Sequence, residues 1–339
     1  MGSLLNQYHE LPDGLLDADA GQLAELLGGP SLIHLPGRRE QPLFVSLLLH
    51  GNETTGLRAL QALLRRYAQR ELPRALSFFI GNVEAARDGL RRLAGQPDYN
   101  RVWPGTEYQD SAEQRMMAEI VDIMRPRQPF ASIDLHNNTG INPHYACINR
   151  IDYRFMHLAS LFSRTLVYFV RPRGVQSMAF AELCPAVTVE CGKVGQSAGE
   201  EHALEFVDAC LHLSEIPDHP VAAHDVDLFH TVAIVRVPRT YSFGFGEKAV
   251  DICFVDDLDR LNFRELPAGT TLAHIDGIDG LPLEASDEEG NEVAERFFRV
   301  EDNMLRTVRT VMPSMFTLDE RVIRQDCLGY LMERYPLPA

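Results

Sequence analysis

The feature that most restricts what this chain can fold into is an apolar run, Leu43-Phe44-Val45-Ser46-Leu47-Leu48-Leu49, which halts at His50-Gly51-Asn52-Glu53 and gives way at once to a helix pattern. A short run with little polar alternation reads as a strand covered on both faces, the kind found in parallel sheets. Residues 54–70 then place Leu57, Leu60, Leu64 and Tyr67 on one helical face. The rhythm continues with strand patterns at 75–80, 130–136, 166–170 and 185–190 and helix patterns at 111–124, 151–163 and 198–213. Ser111 supplies a cap for the helix that turns Met116, Ile120 and Met124 inward. Alternation of this kind predicts the α/β class, with a mostly parallel mixed sheet covered by helices. Residues 88–110, rich in Arg, Gly and Pro, interrupt it, and a loop that long inside a compact domain is usually functional.

Past Pro217-Asp218-His219-Pro220 the pattern changes to short β runs at 232–237, 252–255 and 271–275, separated by Gly, Asp and Pro. We therefore expect a catalytic domain over 1–220, of which 1–42 form a surface lead-in. A smaller β-rich C-terminal domain follows over 221–339, with a helical tail near 299–312 and 326–334.

Open α/β sheets bind ligands outside the carboxyl ends of their strands, and three such ends carry metal-competent side chains. The first is His50 with Glu53. In the second, Phe130 to His136, Ser132, Asp134 and His136 alternate with Ala131, Ile133 and Leu135, so Asp134 and His136 point the same way. The third, Pro185 to Glu190, ends on a carboxylate, and Gly192 lets the chain leave sharply. Two histidines and one carboxylate with an open fourth position, plus an unligated carboxylate, suit metal-assisted hydrolysis. The local motif alone is weak: twelve histidines and 48 acidic residues in 339 place roughly 1.7 acidic residues three after a histidine by chance. His202 with Glu205 and His212 with Glu215 share the spacing, but with Asp208 they form a polar helix stripe that reads as a solvated face.

Composition bounds the partners. A net charge of −16 argues against a nucleic-acid or anionic-membrane surface, which needs a basic patch. Only two of the 32 basic residues are lysine, at 193 and 248; a compositional bias explains this, although arginine also suits carboxylate capture. The six cysteines show no CxxC pair and read as reduced core residues. Neither a signal peptide nor an apolar stretch near the roughly 20 residues of a membrane span is present, so the expected location is the cytoplasm. A homo-oligomer is left open.

Four motifs occur in order: His50-Gly51-Asn52-Glu53, Asp98-Tyr99-Asn100-Arg101 with Pro104-Gly105, Asp134-Leu135-His136, and Val189-Glu190-Cys191-Gly192. Together they resemble the succinylglutamate desuccinylase and aspartoacylase branch of the zinc carboxypeptidases. Asp259-Arg260-Leu261-Asn262-Phe263, with Gly269 to Ala273 after it, is similar to the small C-terminal β domain of the desuccinylases. The resemblance implies a zinc carboxypeptidase-like fold and one zinc ion held by His50, Glu53 and His136. It implies metal-bound water as nucleophile, Glu190 as general base, and a small N-acyl amino acid as substrate, succinylglutamate first among them.

It also implies that Asn100 and Arg101 hold a substrate carboxylate and that Arg92, with Arg91 as the other choice, polarises the scissile carbonyl. A later substrate arginine has no clear counterpart: Phe180 takes the nearest offset, with Arg171 and Arg173 close by, and Tyr241 is a weak match for a C-terminal-domain tyrosine. Asp134 either fixes the tautomer of His136 or is a buried carboxylate satisfied by backbone amides. Cys191, on the opposite side of its strand from Glu190, is not expected to be a nucleophile. The rival readings are a carboxypeptidase or peptide amidase on the same machinery and a non-catalytic binding module of the same fold.

Overall fold

A computed structural model describes residues 4–246 and 249–337; Lys248 and the last two residues of the expected C-terminal domain lie outside the described residues. The chain forms two compact units, one of residues 1–137, 144–168 and 172–227, the other of 138–143, 169–171 and 228–339. No helix among the described residues is long and apolar enough to cross a membrane.

In the first unit eight strands are β1 (Asn6–Tyr8), β2 (Ser31–Leu35), β3 (Leu43–Leu47), β4 (Leu76–Ile80), β5 (Ala131–His136), β6 (Tyr145–Ile148), β7 (Thr165–Tyr168) and β8 (Ala186–Glu190). They lie in the order β1-β2-β4-β3-β5-β8-β6-β7. Pairs β4–β3, β3–β5 and β5–β8 are parallel, while β2–β4 and β6–β8 are antiparallel. This is the mostly parallel mixed sheet expected. Its helices are α1 (Leu23–Leu27), α2 (Thr55–Arg66), α3 (Val83–Arg87), α4 (Ala112–Met124), α5 (Tyr153–Ser160), α6 (Gln176–Phe180) and α7 (Ser197–His212). Ser111 caps α4, its hydroxyl accepting from the Gln114 N–H.

The two sheet faces differ in character. Ser46, Asp134 and Thr188 stand side by side across β3, β5 and β8, and His136 pairs with Glu190 two residues on, so all five share one face. Leu47, Ile133, Leu135, Val187 and Val189 fill the other face, where Gly56 lets α2 approach so closely that a Cβ there would lie 3.0 Å from Leu135 Cβ. On the polar face α6 lies over the sheet: Phe180 stacks on Phe44 at 4.1 Å, Gln176 donates to Ser132 and Ser177 accepts from Thr188.

Two expectations are corrected. Residues 4–42 are not a surface lead-in: β2 is almost wholly buried against β4, and Leu15, Leu23, Leu27 and Leu32 are core residues. The C-terminal tail is not mainly helical. Among the described residues the second unit holds β9 (Asp227–Arg236), β10 (Phe243–Phe245), β11 (Ile252–Phe254), β12 (Thr271–Ile275), β13 (Glu284–Ser286), β14 (Phe298–Glu301), β15 (Met304–Thr307), β16 (Met312–Ser314) and β17 (Gly329–Arg334), with one short α-helix, α8 (Glu320–Gln325), and two single 3-10 turns. A five-stranded sheet runs β10-β11-β12-β15-β14, and β17 pairs with β9 and β16. The β14–β15 hairpin turns through Asp302 and Asn303, both at positive φ (52° and 60°), the geometry of a two-residue type I′ turn.

Candidate metal centre

Because β3, β5 and β8 are adjacent and parallel, their carboxyl ends meet at one edge of the sheet. Leu48, at φ 53°, turns the chain as it leaves β3, a left-handed conformation that costs a non-glycine residue about 1 kcal/mol or more. The turn closes with the Glu53 N–H on the His50 carbonyl at 3.1 Å. His50, Glu53 and His136, each 4 % exposed, bring one ligand atom apiece to within 4.8 Å of one another. The Nδ1 atoms of His50 and His136 each lie 2.8 Å from an oxygen of the Glu53 carboxylate, so both rings turn the same nitrogen toward one point.

The other ring nitrogens have partners of their own. His50 Nε2 is 3.0 Å from Asp98 Oδ1 and His136 Nε2 is 2.8 Å from Asp134 Oδ2. A carboxylate accepting the distal N–H fixes the tautomer and frees Nδ1 as a lone-pair donor, the arrangement found behind metal-ligating histidines. Asp134 therefore orients His136, and its other oxygen accepts from Ser46 at 2.6 Å.

Charge balance fits a dication. With both histidines neutral, as ligands must be, Glu53, Asp98 and Asp134 bring three formal negative charges against two nearby guanidiniums, Arg91, 3.3 Å from Glu53 and 3.2 Å from Asp98, and Arg101, which also acts on Asp98, so negative charge stays in excess. Buried charge of that size calls for a counter-ion. The same carboxylates favour the protonated form of both histidines. Burial and Arg91 press the His50 pKa down, but Glu53 and Asp98 outweigh them and raise it. For His136 burial is likewise overcome by Asp134 and Glu53. Despite burial, the two imidazoles hold the Glu53 carboxyl far below its ordinary range.

Glu190 sits directly across the β5–β8 register from His136 and is buried. Burial pushes its pKa up to about 7; His136 and His50 oppose the shift, while Glu53 and Asp134 add to it. A carboxylate with that pKa can both accept and release a proton near neutrality.

The remaining candidates are placed as follows. Arg92 donates to the Gln96 carbonyl of its own loop at 2.7 Å, whereas its neighbour Arg91 is held against Glu53 and Asp98. Arg101 donates to the Asn100 carbonyl at 2.8 Å. Asn100 is buried, its amide against Asp134 and His136. Phe180 is enclosed by Phe44 and Trp103, Arg171 donates to the Glu288 carbonyl, and Tyr241 packs on the core of the second unit. Cys191 is fully buried and burial raises its thiol pKa well above the ordinary value. The residue that the sequence reading left without a role is Asp98. The signal for it lay inside the Asp98-Tyr99-Asn100-Arg101 motif, where an aspartate two residues before an N–H can also form the Asx turn seen here, with the Asn100 N–H on Oδ1 at 2.8 Å.

Fold and site together define an α/β protein with a candidate three-ligand metal centre at its strand ends. A family model described as the succinylglutamate desuccinylase/aspartoacylase catalytic domain matches residues 42–215, just over half of the chain, and the chain belongs to that family. It is 28 % identical over 199 residues to a succinylglutamate desuccinylase of Pseudomonas paraeruginosa, covering 56 % of this chain and 58 % of that protein; the chain thus spans less than two thirds of the length of the curated relatives it matches. Among solved structures it is similar to a succinylglutamate desuccinylase/aspartoacylase from Rhodobacter sphaeroides (TM-score 0.59, 16 % identity, 89 % of this chain and 88 % of that one). It is also similar to the succinylglutamate desuccinylase from Chromobacterium violaceum (TM-score 0.56, 18 % identity, 89 % and 87 %). At these identities the likeness concerns the fold.

Proposed function

We propose that the chain is a zinc-dependent hydrolase that cleaves the amide bond of a small N-acyl amino acid. The observation that carries this is the convergence of His50, Glu53 and His136 with Glu190 across the strand register. His50 Nδ1, His136 Nδ1 and the Glu53 carboxylate would hold one zinc ion, which supplies Lewis acidity toward water and a carbonyl oxygen when bound. Glu190 takes a proton from the attacking water as the new C–O bond forms. It then delivers that proton to the amide nitrogen as the C–N bond breaks, so the free amine and the carboxylic acid leave with no covalent enzyme intermediate. Arg91, fixed by Asp98 and Glu53, is the arginine we assign to the carbonyl oxygen, in preference to Arg92. Arg101 is the residue we assign to a substrate carboxylate, its planar fork suiting bidentate capture.

Succinylglutamate is the leading substrate. The zinc-loaded protein is tested by release of free amine from succinylglutamate, acetylaspartate and short peptides. Turnover of a small N-acyl amino acid is expected. Turnover of peptides alone would transfer the chain to the peptidase reading, and zinc binding without turnover of any amide would make it a binding module.

A further inference from the structure

Asn137 follows the ligand His136 directly, where β5 ends, and is 5 % exposed. Both hydrogens of its amide are spent inside the protein. Nδ2 donates to Thr55 Oγ1 at 2.9 Å and to the Gly192 carbonyl at 2.8 Å, and Oδ1 accepts the Thr55 N–H at 3.3 Å. Those neighbours define the amide's orientation, since the flipped form would set oxygen against the Gly192 carbonyl and N–H against N–H.

Each partner lies two residues from a group that the reaction uses. Thr55 opens α2 two residues after Glu53, and Thr54, at the N-cap position, provides no side-chain cap. First-turn N–H groups have no partner within their own helix, so the cap arrives from Asn137, 82 residues later in the chain. Gly192 lies two residues after Glu190. The β5–β8 register ends at the His136–Glu190 pair; beyond it the Cys191 N–H still reaches the His136 carbonyl at 2.9 Å, and Gly192, at φ 76°, turns the chain away. The Asn137 side chain supplies one further rung at that turn. Its backbone N–H meanwhile donates to Glu53 Oε2 at 3.1 Å. One residue thus joins a ligand's carboxylate, the helix that follows that ligand and the segment that carries the base.

We propose that Asn137 is a positioning residue which, through the Gly192 carbonyl, fixes Glu190 relative to the metal ligands for the proton transfer. The inference rests on the zinc and general-base reading above. Loss of the bond frees the segment after Glu190, and a misplacement of about 1 Å costs roughly 100-fold in rate where geometry decides it. Zinc itself is held by bonds that a substitution here leaves alone: Asp98 on His50, Asp134 on His136 and the main-chain N–H on Glu53.

The test uses the full, zinc-loaded chain, with kcat, KM and zinc affinity measured for Asn137→Ala, Glu190→Gln and the double variant. Asn137→Ala is expected to lower kcat roughly 10- to 100-fold, with KM within about twofold and zinc affinity within about threefold of the unaltered chain. Added to Glu190→Gln it should lower kcat by less than about twofold, because the carboxylate it positions has gone. Asn137→Asp keeps the shape and the acceptor for the Thr55 N–H but loses both donors. It is expected to repeat the kcat loss and its disappearance with Glu190→Gln, and it serves should the Ala variant fold poorly. Thr55→Val removes only the hydroxyl contact and should leave kcat within about twofold. Losses that multiply in the double variant, or a Thr55→Val effect as large as that of Asn137→Ala, would overturn the inference. Absence of zinc binding by the unaltered chain, or full activity of Glu190→Gln, would overturn the reading it rests on, and this inference with it.

Discussion

Glu190 carries two opposed requirements in one side chain. A base must be ionised, yet burial among Glu53 and Asp134 favours the protonated form and lifts its pKa to about 7. The acidic limb of kcat/KM is therefore expected at or just below pH 7, since a bound dication favours the carboxylate and moves the limb down, never up. Glu190→Gln should lower kcat by roughly 10²- to 10⁴-fold while zinc content is retained, because Glu190 is not a ligand. In the zinc-free chain the same group opposes folding. Its folded pKa exceeds the unfolded value, so the native state holds the proton between about 4.5 and 7. Stability therefore falls as pH rises through that window. Glu190→Gln should raise the unfolding free energy at pH 8 by up to about 3 kcal/mol and leave it unchanged near pH 4; equal effects at both pH values would show that Glu190 is not strained by its charge.

Among elements, the glycines mark where the site depends on close approach. A Cβ on Gly51 would fall 2.3 Å from the Ala86 nitrogen, 2.5 Å from the Ala85 carbonyl carbon and 2.7 Å from the Leu90 oxygen. These are backbone atoms of α3 and the segment after it, which cannot swing aside as a side chain would. Gly51→Ala is expected to destabilise the chain by roughly 1–3 kcal/mol in a denaturant titration and to weaken zinc binding, because His50 is its neighbour. The strands that end at the site were readable because β3 and β8 are buried runs and β5 has strict two-residue alternation, and in each the polar residue falls at the end. The tail between 298 and 334 invites a helical reading because its apolar residues fit either period, whereas it forms β14 to β17 with α8 between them. The Asp302-Asn303 pair, suited to positive φ, was the hairpin signal. β2 was missed for a different reason: five residues between Gly-Pro and Pro-Gly punctuation carry too little pattern to separate a buried strand from a loop.

At the scale of the whole molecule, the sequence made the α/β class and the ordered ligand set legible, whereas the partners of individual polar atoms were not. Nothing in the spacing says that Asp98 faces His50 or that Asn100 reaches α6, because those contacts depend on how the 88–110 loop folds back. The second unit has a comparable hub. The two side-chain N–H groups of buried Asn262 are shared among the carbonyls of Phe316 (2.8 Å), Asp259 (3.0 Å) and Ile141 (3.2 Å), and its Oδ1 accepts the Phe316 N–H at 2.9 Å. Asn262→Ala leaves several buried backbone groups unpaired and is expected to destabilise that unit by about 2–4 kcal/mol, read as a lowered unfolding midpoint; a midpoint within error of the unaltered chain would contradict this.

Anomalous diffraction at the zinc edge from crystals of the zinc-loaded protein tests the central claim most directly. A single peak is expected about 2.0–2.1 Å from the Nδ1 atoms of both His50 and His136 and in contact with the Glu53 carboxylate, with Glu190 nearby but outside the coordination shell. A peak elsewhere, coordination through Nε2, or no peak after zinc soaking would contradict it.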